Sequence, residues 1–92
     1  MVIGQRRMVP NEPVVGAELD GEAILLNLDT GIYFGIDTVG TRIWRLITQG
    51  AAESEIIDQL LKQYDVDRAQ LTQDVSEFLD LLAAKGLVRI SD

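Results

Sequence analysis

Ninety-two residues, 47% of them hydrophobic and 25% charged, are enough for one soluble globular domain with a single modest core, and too apolar for a disordered chain. The absence of cysteine and histidine removes disulfides, the usual zinc sites, thiol nucleophiles and imidazole acid–base chemistry. A formal net charge of −7, with Arg6 and Arg7 the only adjacent cations, opposes nucleic acid and anionic membrane and favours a neutral or cationic partner.

No apolar run approaches the roughly twenty residues that span a bilayer. Met1–Pro13 carries Arg6 and Arg7 without the apolar core of a secretory signal, so a cytoplasmic location is expected.

Residues 1–12 read as an irregular N-terminal arm, broken by Pro10 and followed by Pro13. Residues 13–92 then form the folded domain. Val14–Leu19 is a first strand, interrupted by Gly16. Asp20-Gly21 is a strong hairpin signal, because a type I′ turn needs positive φ at both central positions. Glu22–Leu28 is the second strand. Asp29, Thr30 and Gly31 turn the chain into a third strand, Ile32–Ile36. Ile32, Phe34 and Ile36 are expected to face inward, with Tyr33 and Gly35 facing out.

Asp37 is placed to cap a helix whose apolar stripe is Val39, Ile43, Leu46 and Ile47, flanked by Trp44 and ended by Gly50. A second helix over about Ala52–Tyr64 turns Ile56, Ile57, Leu60, Leu61 and Tyr64 inward. Asp67 and Gln70 match a capping box for the third helix, which carries Leu71, Val75, Phe78, Leu79 and Leu82 and stops at Gly86. Leu87–Ile90 is a short terminal strand or an extended tail. Strands followed by helices define an α+β fold: a three-stranded antiparallel sheet covered by three helices. The helices also resemble a helix-turn-helix core, with the sheet as a wing.

Catalytic chemistry finds little support. Asp74, Glu77 and Asp80 on the third helix are the one acidic constellation, and paired carboxylates serve as acid and base or hold a divalent ion. They lie opposite the apolar stripe, where a charge run ordinarily solvates a helix. No nucleophile–base pair or glycine-rich phosphate loop accompanies them. Hence neither enzymatic activity nor a metal or other cofactor is expected. A DNA-binding regulator built on the helical core is the alternative reading, but its recognition helix would set Asp67, Asp74, Glu77 and Asp80 against the phosphates.

The third strand supports two readings. It is an ordinary core strand, or it is a sheet edge that receives another chain. Ile32–Ile36 contains neither the charge nor the proline that usually protects an edge. If the third helix lies over that edge, an incoming peptide would add a strand and insert alternate side chains between strand and helix.

One combination of residues is distinctive: Asp20-Gly21, Leu25-Leu26-Asn27-Leu28, Thr30-Gly31, Tyr33-Phe34, Val39-Gly40, Ile43-Trp44, Leu46 and Gly50. It continues with Ile56, Leu60, Tyr64-Asp65, Asp74-Val75, Phe78-Leu79, Leu82 and Gly86-Leu87-Val88. From about Val14 to Ile90 this pattern resembles the PqqD family. Ala51 and Ala52 depart from it mildly, where a serine or threonine cap is common.

The resemblance implies a winged-helix-like RiPP recognition element, a non-catalytic domain that binds the leader of a ribosomally made precursor peptide. It further implies that the leader pairs with Ile32, Tyr33, Phe34 and Gly35 and lies against Leu71, Asp74, Val75 and Phe78. Leu28 and Asp67 complete the candidate peptide-binding set. Among stand-alone members, the chain is similar to those of lasso-peptide pathways. The partners then implied are a precursor leader, a leader peptidase and a cyclase, with no nucleic acid and no membrane.

Overall fold

In the computed structural model, which describes residues 6–91, the chain opens with a strand where irregular backbone was expected. Strand β1 (Arg7–Pro10) pairs antiparallel with the terminal strand Val88–Ser91, and residues 1–5 of the expected arm lie outside the described residues. Pro10 is tolerated because it stands at the end of β1. Met8, 3% exposed, anchors the strand in the core. The partner for β1 comes from the far end of the chain, so no local pattern announces it.

Strands β2 (Val14–Leu19), β3 (Glu22–Asn27) and β4 (Tyr33–Ile36) form the expected antiparallel sheet, in the order β2-β3-β4. Asp20 and Gly21 take φ values of 56° and 82°, the two left-handed residues of a type I′ turn. Gly16 does not interrupt β2. It faces inward opposite Leu25, and a Cβ there would stand 3.2 Å from Leu25 and 3.3 Å from the Trp44 indole nitrogen. The missing side chain is what lets Trp44 seat against the sheet.

Three helices follow: α1 (Thr38–Thr48), α2 (Glu53–Gln63) and α3 (Arg68–Ala84), with Val88–Ser91 closing the fold as β5. Asp37 caps α1 by accepting from the Gly40 amide at 2.8 Å, and Asp67 caps α3 by accepting from the Gln70 amide at 3.1 Å. Ala52, at the start of α2, has no capping side chain. Its amide donates to Glu55 Oε1 at 2.8 Å, and the next amide, Glu53, donates to the Arg6 carbonyl at 2.8 Å. Backbone brought in by β1 thus satisfies a helix end that the local sequence leaves open.

The core lies between the sheet and the helices. Leu25, Ile47, Ile56, Leu60, Val75, Leu79 and Leu82 are all essentially inaccessible. On α3 the inward set Val75, Leu79 and Leu82 follows i, i+4, i+7 spacing, whereas Leu71 and Phe78 stay half-buried at its margin. This is a winged-helix-like α+β arrangement, and its half-covered margin is where the site lies.

Candidate functional site

Antiparallel hydrogen bonding alternates along a strand. Asn27 N–H donates to the Ile32 carbonyl at 3.0 Å, and Leu28 N–H donates to the Pro13 carbonyl at 2.8 Å. Odd-numbered residues of β3 therefore bond toward β4, and even-numbered ones toward β2. On β4 this directs the polar backbone of Phe34 and Ile36 at β3, and that of Tyr33 and Gly35 away from it. Among the described residues no strand pairs with this second side of β4. Tyr33 and Gly35 thus offer up to about four unpaired backbone groups in a row.

The open edge borders an apolar groove of about 320 Å³ between β4, the start of α1 and α3. Phe34, Gly35 and Ile36 form one wall and Leu71, Asp74, Val75 and Phe78 the other. The first turns of α1 form the floor. Gly40 sets the closeness of the two helices, because a Cβ there would lie 3.1 Å from the Phe78 ring and 3.3 Å from Ile36. Lys85 stands with its ammonium 5.7 Å from the Phe34 ring centre, a cation–π contact at the C-terminal end of α3. Asp37 and Asp74 supply negative charge to the lining.

The expected site residues divide cleanly. The groove brings together Phe34, Gly35, Leu71, Asp74, Val75 and Phe78. Tyr33 is 72% exposed on the same strand and belongs to the edge rather than the groove. Leu28 and Ile32, each 61% exposed, sit in the turn before β4, and Asp67 is occupied as the α3 cap. Ile32 has the parity of an inward residue but not the burial. Its amide bonds to Thr30 Oγ1 at 3.2 Å, in the turn ahead of the first β4 residue.

Sequence reasoning missed the contribution of α1: Asp37, Val39, Gly40 and Ile43 all line the groove. A glycine inside a helix is the signal that was available, since it invites close approach. Asn27 was missed as well. Buried at the end of β3, its side-chain oxygen accepts from the Asp29 and Thr30 amides at 2.9 and 3.3 Å, and its nitrogen reaches the Gly86 carbonyl at 3.5 Å. It builds the turn before β4 and ties that turn to the end of α3.

Among the described residues, no group of three or more Asp or Glu side chains is placed to hold a metal ion. On α3, Asp74 accepts from Gln70 at 2.9 Å and Asp80 pairs with Arg6 at 2.8 Å. These carboxylates are partnered surface groups rather than a converging acid–base pair.

A winged-helix-like domain with a bare strand edge beside a helix-walled groove is the class that this fold and site define. The chain matches the family model for Coenzyme PQQ synthesis protein D (PqqD) over residues 22–88 and belongs to the PqqD family. It is similar to a solved structure described as "TbiB1 in Complex with the TbiA(beta) Leader Peptide", at 43% identity and a TM-score of 0.85, over 88% of this chain and 94% of that one. A second structure, "Lasso peptide synthetase B1 complexed with the leader peptide", has a TM-score of 0.81 over 92% and 98% of the two chains. At 19% identity it shows the shared fold alone. A comparison with curated protein sequences finds no match.

Proposed function

We propose that this protein is a RiPP recognition element of lasso-peptide maturation. It binds the leader segment of a precursor peptide without chemistry of its own and delivers it, in the cytoplasm, to a leader peptidase ahead of a cyclase. The observation that carries this reading is the unpaired β4 edge opening directly onto the groove walled by α3. An extended peptide there gains backbone hydrogen bonds from Tyr33 and Gly35 and sets alternate side chains among Phe34, Leu71, Val75 and Phe78. The relative at 43% identity, itself a complex with a leader peptide, supports the same ligand class.

The magnitudes are adequate. About four hydrogen bonds at ~1 kcal/mol each and two or three apolar anchors at ~2 kcal/mol each give a gross gain of roughly 8–10 kcal/mol. Ordering a disordered leader takes back about 2–5 kcal/mol, which leaves at most about 8 kcal/mol and hence micromolar affinity at the tightest. The negative surface favours a leader with Lys or Arg beside its anchors. Delivery acts by raising the concentration of substrate at the enzyme.

Nothing in the site favours DNA. Arg68, the cation of the first turn of α3, is held by Asp58 at 2.8 Å, while Asp74 and Glu77 remain on its open face. Among the described residues no helix is long and apolar enough to cross a membrane.

Fluorescence anisotropy with labelled leader and, separately, labelled duplex DNA at moderate salt tests the reading. The leader is expected to saturate and the DNA to give no change. The Tyr33→Ala, Asp74→Ala double variant should bind leader at least about tenfold more weakly while melting within a few degrees of the parent. A folded double variant with parental affinity would remove the assigned site, and DNA binding without leader binding would remove the function.

A further inference from the structure

The groove is not electrically uniform along its length. Asp74, Phe78 and Leu81 follow i, i+4, i+7 spacing on α3, and Lys85, the residue that ends the helix, continues the same face. Phe78 lines the groove, so this is the face turned toward β4. An acid thus opens the stripe and a cation closes it, with apolar side chains between them. Exposed Leu81 on α3 and exposed Ile32 ahead of β4 carry apolar surface toward the Lys85 end.

Both charges are available to a ligand. Among the described residues Asp74 accepts from the neutral Gln70 amide at 2.9 Å and pairs with no cation. Lys85 has no carboxylate partner among them either, although Arg6, Arg7, Arg45 and Arg68 each have one. Its ammonium stands 5.7 Å from the centre of the Phe34 ring, which is part of the groove wall. A cation at the end of any helix complements the dipole, but the Phe34 contact brings this one to the path of the peptide. Asp37, the other carboxylate of the lining, is engaged by the Gly40 amide as the α1 cap and selects nothing.

Two contacts fix the direction of the strand. Phe34, early in β4, lies by Lys85, whereas Ile36 at its end packs beside Gly40 and the Phe78 ring, nearer Asp74. β4 therefore runs against α3. A peptide added antiparallel, the pattern of this sheet and the stronger pairing per residue, runs from Asp74 toward Lys85. The helix rises about 16 Å between the two, at about 1.5 Å per residue, which matches about five residues of strand.

We propose that Asp74 and Lys85 read the order of charge along the leader. The bound segment carries a Lys or Arg first and an Asp or Glu about five residues nearer its C-terminus, with apolar anchors between. The inference rests on the leader-binding function argued above and adds the charge pattern and direction of the bound segment. The reverse order would set each leader charge against its like.

The test is anisotropy of the full-length protein with two labelled leader peptides of the same composition and the same anchors. One carries Lys before Glu at that spacing, the other Glu before Lys. At low salt the parent is expected to bind the Lys-first peptide at least about fivefold more tightly, a difference that shrinks as salt rises. The Asp74→Lys, Lys85→Glu double variant keeps the net charge of the parent and is expected to reverse the preference while melting within a few degrees. Lys85→Gln, a milder change, is expected to reduce the preference to about twofold. Equal binding of both peptides by the parent overturns the proposal and leaves the groove function standing. So does an unchanged preference in the folded variants, or a parent that prefers the Glu-first peptide. A parent that binds neither peptide nor the native leader sinks the underlying function, which the native leader measured alongside reads separately.

Discussion

The molecule treats its two sheets in opposite ways. The residues flanking β1, Arg6 and Asn11, tie the β1–β5 pair to the helices with polar contacts. The Arg6 guanidinium bonds Glu53 at 2.9 Å, Asp80 at 2.8 Å and Ser76 at 3.1 Å, and its carbonyl receives the Glu53 amide. Asn11 bonds the Gly86 and Leu87 carbonyls at 2.7 and 3.1 Å. The β4 edge has none of this. Its Tyr33 and Gly35 groups face open space beside an apolar wall. Polar partners gather around the β1–β5 pair, and among the described residues they are missing along the β4 edge, where the proposed peptide would enter.

That contrast breaks most sharply at Arg6. Glu53 is only 4% exposed, and the hydrogen bonds from Glu53 and then Asp80 hold the arginine charged well above its ordinary range. Arg6→Ala strands a buried carboxylate. The expected cost is about 3 kcal/mol, a melting drop of more than ~10 °C in a domain of this size. Leader affinity measured well below the transition should stay within about twofold. A stable Arg6→Ala protein with weakened leader binding would reverse the division of labour between the two sheets.

Gly35→Pro sharpens the other side. It deletes one outward N–H and leaves the β3 ladder intact, which an edge position tolerates. Leader affinity should fall about fivefold, the worth of one net hydrogen bond, with little change in melting. Equal affinity would mean that the peptide does not pair there as a strand.

The smallest effect is expected at Glu18, whose hydrogen bond from Arg45 holds its carboxyl below the ordinary value on an exposed surface. A depressed folded value stabilises above the unfolded pKa and is lost as pH falls through the folded one. Glu18→Gln should therefore lower melting slightly at neutral pH and by nothing in strong acid. A difference that grows on acidification would contradict the pairing.

Much of this architecture was legible from local pattern. Asp20-Gly21 announced its turn because only a few residues accept that backbone, and Asp37 and Asp67 announced their helices because a carboxylate satisfies free amides. The α3 wall of the groove followed from helical spacing. β1 was not legible, because its partner is about eighty residues away and Pro10 reads as a breaker. The α1 floor was missed for a related reason. Val39 and Ile43 fit a core stripe equally well, and only the height of the neighbouring wall decides whether they face the interior or the groove. Ile32 shows the limit of parity: alternation gives a residue its side but not whether anything covers it.

The bare α-carbon at Gly40 has a consequence for selectivity. With the Phe78 ring 3.1 Å from where a methyl would stand, the absence of a side chain at Gly40 helps to set the calibre of the slot. One added carbon would displace that ring by a few tenths of an ångström and change the width of the slot along with its floor. The spacing of α1 and α3 thus sets the aperture, while the unpaired backbone of Tyr33 and Gly35 lies apart from it along the β4 edge.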